Sequence, residues 1–186
     1  MGSRTLAGRS VGMLLFMMAL TGHAAAGNGG LKVTGDNLKF DGTLVADPCE
    51  LDPNTTDITL DFGTVIDTYL YLNTRTHAQP FTLRLLECDL SLGNQVEVTF
   101  KGTQSKELPG FLALSNSAAS GIAIGLEQKD GTPLPLNKTV TAFTLAGGTN
   151  DLVLYGYVIG EPSALAAHTL RRGAFEALAT FELNYP

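Results

Sequence analysis

The chain has little charge of one sign and no basic stripe. Lysine and arginine number 12 among its 186 residues, against 18 aspartates and glutamates, a net charge of −6. Without clustered positive charge there is no electrostatic footprint for a nucleic-acid backbone. No apolar stretch is long enough to cross a bilayer as a helix, which takes about 20 such residues. The sequence has no G-x-S-x-G, no H-E-x-x-H and no phosphate loop, so the usual constellations for nucleophilic, metal-assisted or phosphoryl chemistry are missing. Its carboxylates, Asp57, Asp61 and Asp67 among them, are scattered along strand-like and turn-like segments, as on a solvated face. His77 and His168 stand alone and read as surface loop residues. Tandem repeats, low-complexity tracts and an inter-domain linker are absent too. No cofactor or metal is called for.

What is present begins with a leader. Arg4 and Arg9 precede the apolar run Val11–Leu20, and small residues up to Ala24-Ala25-Ala26 follow. That order is the pattern of a secretory signal peptide cut before Gly27. The expected mature chain, residues 27–186, suits one domain with a sizeable core. It holds two cysteines, Cys49 and Cys88. An even count in an exported chain points to one disulfide. Closing a loop of 39 positions is worth roughly 4 kcal/mol at best on chain-entropy grounds. Zinc is the rival reading, but it wants paired Cys or Cys/His spacings, which do not occur here.

Period-two alternation runs through the rest. Leu38, Phe40, Leu44 and Ala46 alternate with Lys39, Asp41, Thr43 and Val45, with Gly42 interrupting the apolar series. Ile58, Leu60 and Phe62 repeat the pattern, as do Phe81, Leu83 and Leu85, then Val96, Val98 and Phe100, then Ile122, Ile124 and Leu126. "KTVTAFTL" and "NDLVLYGYVIG" follow. Turn signals separate the runs: "DPN" at 52–54, "LGN" at 92–94, "KDGTP" at 129–133 and "GGTN" at 147–150. Many short, evenly punctuated strands predict an all-β antiparallel sandwich. Only "PSALAAHTLRR" (162–172) has helical composition, enough for a connection with at most a helical turn.

The last segment poses a problem of pairing. Phe175, Ala177, Ala179, Phe181, Leu183 and Tyr185 fall on one face, and Glu176, Leu178, Thr180, Glu182 and Asn184 on the other. That is a strand with one apolar face. It runs almost to the terminus with no hairpin partner after it, yet its backbone groups need partners. A sandwich ending this way has an exposed edge, which invites a strand from another chain. If each chain offers its first strand to the next, the contact is head-to-tail and builds a fibre.

Several motifs here resemble those of subunits of chaperone–usher pili, near the minor subunits of P-type fimbriae. "FDG" at 40–42 followed by "ADPC" ending at Cys49 resembles the N-terminal pilin signature. "LDFG" (60–63), "LRLLECDL" (83–90), "VTFKG" and "LPGFLAL" resemble later segments, and Gly173 with penultimate Tyr185 stands at the spacing of the family's C-terminal motif. The resemblance covers residues 36–186. It implies an incomplete immunoglobulin-like β-sandwich lacking its last strand, with residues 27–48 as N-terminal extension and donor strand and 49–186 as the pilin domain. Leu38, Phe40, Gly42 and Leu44 would form the donor face, with Gly42 where a neighbour's groove narrows; a bulge in an ordinary first strand is the alternative for Gly42. Gly173, Phe175, Phe181, Leu183 and Tyr185 would carry chaperone and partner recognition on the terminal strand. Implied partners are a periplasmic pilus chaperone, an outer-membrane usher and neighbouring pilin subunits. The implied destination is the extracellular pilus of a Gram-negative cell, reached through the periplasm.

Residues 27–37 depart from that pattern by lengthening the arm ahead of the donor strand. The arm fits a flexible lead for strand exchange, or a specialised position such as the pilus base. The implied function is a structural subunit polymerising by donor-strand exchange, a minor or adaptor pilin. The alternatives are a terminator or anchor, a major rod subunit, a carbohydrate-binding adhesin and, from a different class, a secreted sandwich enzyme.

Overall fold

Alternation builds the strands where the sequence places it. In the computed structural model, residue 44, residues 46–139 and residues 143–186 are described. The expected leader 1–26, the arm 27–37 and the donor positions Leu38, Phe40 and Gly42 lie outside them. Among the described residues the strands are β1 (Glu50–Leu51), β2 (Gln79–Cys88), β3 (Gln95–Gly102), β4 (Ile122–Gln128), β5 (Phe143–Thr144), β6 (Gly148–Gly160) and β7 (Ala179–Asn184). They form two sheets, ordered β1-β2-β6-β4 and β5-β3-β7. Every pair is antiparallel.

The alternating apolar residues meet between the sheets. Leu83 and Leu85 of β2, Ile122 and Ile124 of β4, and Leu152, Leu154 and Val158 of β6 pack in one cluster with Val96, Val98 and Phe100 of β3. Phe81 from the larger sheet meets Phe100 from the smaller edge-on, ring centroids 6.1 Å apart. Fully burying one such side chain contributes roughly 1.5–3 kcal/mol. A corner joins the sheets: Leu112 forms a bridge with Gln104, just beyond β3, and another with Ile124 of β4.

One irregularity positions the disulfide. Strict alternation after Leu83 and Leu85 would turn Glu87 inward. Instead the β2–β6 register shifts between Leu85 and Cys88, and Glu87 takes a left-handed φ of 52°. The extra residue of this bulge leaves Glu87 exposed and turns Cys88 into the core. There it is disulfide-bonded to Cys49, immediately before β1, which pairs with β2 at Glu50↔Leu86.

Several readings of the sequence need correction. "DITLDFG" alternates as expected, but residues 58–66 adopt no regular secondary structure; among the described residues no strand lies alongside to form a ladder. Asp67–Asn73 forms a helix, α1, that composition concealed. Threonine, tyrosine and asparagine fill it, and its one buried residue is Leu70, too sparse an anchor to give a helical period. "PSALAAHTLRR" forms α2, Pro162–Ala167, a little more than the single turn expected. It starts with proline, whose fixed φ suits a first helical position, and His168 closes it in the left-handed conformation at φ 54°. "GGTN" is a turn only at its start, because β6 already begins at Gly148. The Asn150 side chain bonds both Ala146 N and Ala146 O at 2.7 Å, closing the turn one step earlier. "KDGTP" does turn as expected, with Gly131 at φ 84° and Asp130 Oδ1 accepting from Thr132 N.

The bridge between Cys49 and Cys88 cross-links the edge strand β1 to the middle of the larger sheet. Replacing both cysteines with alanine should lower unfolding stability by about 2–5 kcal/mol, seen as a lower urea midpoint and a lower melting temperature with the far-ultraviolet strand signal retained at low temperature.

Candidate functional site

The terminal strand supplies one wall of an open groove. β7 pairs with β3 from Gly102↔Ala179 to Glu97↔Asn184. Its lead-in continues on the same side, with Ser115 N donating to Glu176 O at 2.7 Å and Ala118 N to Ala174 O at 2.9 Å. On the other side β7 has no ladder neighbour among the described residues. Its side chains alternate as expected: Phe175, Ala177, Ala179, Phe181, Leu183 and Tyr185 turn inward, their neighbours outward. Yet the inward row is only half-buried, whereas Val96 and Val98 on the adjoining β3 are 0% exposed. Two strands side by side carry equivalent apolar faces, and only the inner one is covered.

Residues 57–66 supply the facing wall at one end. Leu60, Phe62 and Val65 are half-buried, while Ile58 and Ile66 are exposed. Among the described residues, no hydrogen bond to another backbone group engages residues 57–65. Gly156 of β6 admits this segment: a Cβ there would stand 2.6 Å from Leu60 Cδ2. Phe62 faces Phe175 across the gap, ring centroids 6.3 Å apart. Beside them a cavity of about 400 Å³ is lined by Leu60–Val65 on one side and Gly173–Phe175 on the other. That volume lies within the ~300–1,000 Å³ of clefts that hold ligands, and apolar side chains line it together with unpaired backbone. A fully extended segment suits such a slot, since its main chain can satisfy both edges while alternate side chains enter.

The expected site residues fall as follows. Gly173 and Phe175 line the cavity. Phe181, Leu183 and Tyr185 continue the same inward row. Burial first, and the Asp47 carboxylate second, push the Tyr185 phenol above its usual range, so the strand's far end lies near the start of the described chain. Leu44 is fully exposed and makes no contribution to the core of its own chain. Leu38, Phe40 and Gly42 lie outside the described residues. The sequence reading did not anticipate that Leu60, Phe62 and Val65 form the opposing wall; the alternation of 58, 60 and 62 was visible, but not that it would go unpaired.

Gly173 has a local reason to be glycine. Its φ is 154°, and a Cβ would stand 2.7 Å from Ala118 Cβ and 2.9 Å from both Ala118 C and Ala119 N. Backbone cannot swing away as a side-chain tip can. Gly173→Ala should therefore destabilise the chain by about 1–3 kcal/mol, measured by urea unfolding. A control at Gly147, where a Cβ meets nothing within 4 Å and no left-handed φ is required, should unfold within about 0.5 kcal/mol of the parent.

Comparison with known proteins agrees with this geometry. A family model described as "Fimbrial protein" matches residues 38–186. The fimbria A protein of Serratia marcescens is 30% identical over 161 residues, 87% of each chain. The fimbrial adapter PapK of Escherichia coli is 30% identical over 183 residues, 95% of this chain and 98% of its own. The crystal structure of the P pilus rod subunit PapA superposes with a TM-score of 0.66 at 22% identity, covering 75% of this chain and 100% of that one, which establishes the shared fold. With two open antiparallel sheets forming an incomplete immunoglobulin-like sandwich, this chain belongs to the fimbrial protein family, the chaperone–usher pilus subunits that its motifs resemble, and is a structural protein rather than an enzyme.

Proposed function

We propose that the chain is a minor or adaptor pilin that polymerises by donor-strand exchange. The observation that carries this reading is the half-covered inward row of β7 beside a facing wall that is unpaired among the described residues. An added strand would pair with the free edge of β7 and cover that row. In the fibre the strand would come from a neighbouring subunit, with Leu38, Phe40, Gly42 and Leu44 as the face that enters. Before assembly a periplasmic chaperone would lend the strand, and exchange would take place at an outer-membrane usher. The segment 1–26 would serve as the export signal and 27–48 as extension and donor strand, so that the subunit passes through the periplasm to the extracellular pilus. Gly173, Phe175, Phe181, Leu183 and Tyr185 would form the surface read by chaperone and neighbour alike.

The adaptor rank is supported by similarity to the adapter PapK over 95% of the chain. The open cavity beside Phe175 weighs against a terminator, whose groove must refuse a strand. A rod-subunit role is the second reading, favoured by the fold shared with the P pilus rod subunit.

Thermal unfolding tests the central claim. The oxidised chain 27–186 is compared with the same chain carrying a copy of residues 37–48 after Pro186 on a flexible linker. The tethered strand should raise the melting temperature by tens of degrees, because binding to the folded state alone stabilises it and tethering keeps the local concentration high. An unchanged melting temperature would mean the sandwich is already complete. Phe40→Asp or Gly42→Leu in the appended copy should abolish most of the gain, Phe40→Asp by burying a charge and Gly42→Leu by overfilling the groove.

A further inference from the structure

The turn between β2 and β3 carries apolar side chains that the turn itself does not use. Residues 89–94 read DLSLGN. Asp89 closes the turn: its Oδ1 accepts from Ser91 N at 2.9 Å and its backbone O from Leu92 N at 3.1 Å. Turns favour small polar residues, yet Leu90 and Leu92 stand here 44% and 53% exposed. The turn is fastened to the point where the arm joins the domain. Asp89 N donates to Pro48 O at 2.7 Å. Pro48 is buried, and a Cβ on Gly93 would stand 3.0 Å from its Cγ. Cys88 is bonded to Cys49. Just ahead of Pro48, Leu44, Ala46 and Asp47 are exposed.

The opposite end of the domain carries a second exposed apolar pair. β2 runs from Gln79 to Cys88, about 30 Å at roughly 3.3 Å per residue. Cys88 pairs with Gly148 at the start of β6, and Gln79 with Gly156 near its end. The residues after α1 attach at that far end, with Gly160 N donating to Thr74 O. Arg172, next to Gly173 of the cavity, ties to the start of α1 by donating from Nη2 to Asp67 Oδ2 at 2.7 Å. Ile66, which adjoins the cavity-lining Val65, and Leu72 of α1 are 60% and 78% exposed.

Strand addition would bring these two ends together. β7 and its lead-in run from Phe175 at the cavity to Tyr185, which lies near Asp47. Every strand pair in the described chain is antiparallel, the slightly more stable arrangement per residue. An arm laid antiparallel along β7 of a second copy points Leu38 toward that copy's Tyr185 and Leu44 toward its Phe175. Pro48 follows Leu44 by four positions, at most about 14 Å of chain. The donor's turn 89–94, fastened to Pro48, therefore arrives beside the acceptor's cavity, where Ile66 and α1 are.

We propose that Leu90 and Leu92 form a docking surface for a second copy of this chain, meeting Ile66 and Leu72 beside the cavity of the copy that receives the arm. This rests on the strand-accepting reading above. The contact is head-to-tail, each end fitting the opposite end of the next copy. It is apolar on both sides, so closing it removes surface from water on both. It fixes the angle between consecutive copies, which a strand joined only through the exposed residues 44–47 would leave free.

A pair limited to one junction tests this. The donor is the oxidised chain 27–186 whose own groove is filled by the copy of 37–48 appended after Pro186. The acceptor is the oxidised chain 27–186 with Phe40→Asp in its arm, so that it does not donate onward, immobilised on a biosensor. Dissociation is read in buffer carrying excess peptide of residues 37–48, which occupies any groove that empties. Leu90→Glu with Leu92→Glu in the donor, or Ile66→Glu with Leu72→Glu in the acceptor, should each speed dissociation about tenfold, because losing a buried interface contact acts mainly on the off-rate. Free peptide of residues 37–48, labelled with fluorescein, should leave the parent and the Ile66→Glu, Leu72→Glu acceptor at equal rates, since it carries no turn. Leu90→Lys with Leu92→Lys in the donor should restore most of the lifetime on that acceptor. Parent-like dissociation of the folded donor in both variants would overturn the docking surface, as would equal acceleration of donor and free peptide by Ile66→Glu with Leu72→Glu. So would a melting temperature lowered by Leu90→Glu with Leu92→Glu while dissociation is unaffected, which would place the chain's own arm on the turn. If the peptide binds and the parent donor does not, the two ends do not fit and the docking surface alone fails. If neither binds, the strand-accepting reading fails, and the docking surface with it.

Discussion

The inward row of β7 meets the core from one side only, and much of the chain is arranged around that asymmetry. β3 covers the row on one flank through a continuous ladder, while the other flank faces segment 57–65, unpaired among the described residues, across a gap. Half-covered aromatic and aliphatic side chains leave unrealised much of the favourable transfer that their full burial would give. Free strand edges likewise leave hydrogen-bonding capacity unused. An extended segment with alternate apolar side chains has the chemistry to meet both deficits.

The described strands hold together with that flank of β7 unpaired among the described residues. The larger sheet does most of this. Its central strand β2 pairs with β6 from Gln79↔Gly156 to Cys88↔Gly148, and the inward leucines of both form the dense part of the core. The disulfide then ties the short edge strand β1 to β2, where two residues of ladder would otherwise hold it weakly. The bulge at Glu87 makes that cross-link possible by turning Cys88 inward.

Small residues shape the gap itself. Gly156 lets Leu60 settle against β6, and Gly173 lets the lead-in of β7 pass close to the backbone at 118–119. At the cavity end, hydrogen bonds from Arg172 hold Asp67 below the usual carboxylate range.

The period-two pattern by itself determined β2, β3, β4, β6 and β7, because alternation puts one face of each strand on the core whatever its neighbours are. The even cysteine count and the terminal alternation from Phe175 to Tyr185 were equally legible. Only the tertiary structure decided the rest. The alternation of Ile58, Leu60 and Phe62 predicts a strand, yet a strand is a relation between two segments, and among the described residues no partner is present. α1 was hidden since a single anchor, Leu70, leaves no helical period. Glu87 and Cys88 exchanged faces through a bulge that no residue type announces. The Asp67–Arg172 tie joins residues far apart in sequence. Local pattern records which side of the chain is apolar; whether that side is covered depends on contacts between distant segments.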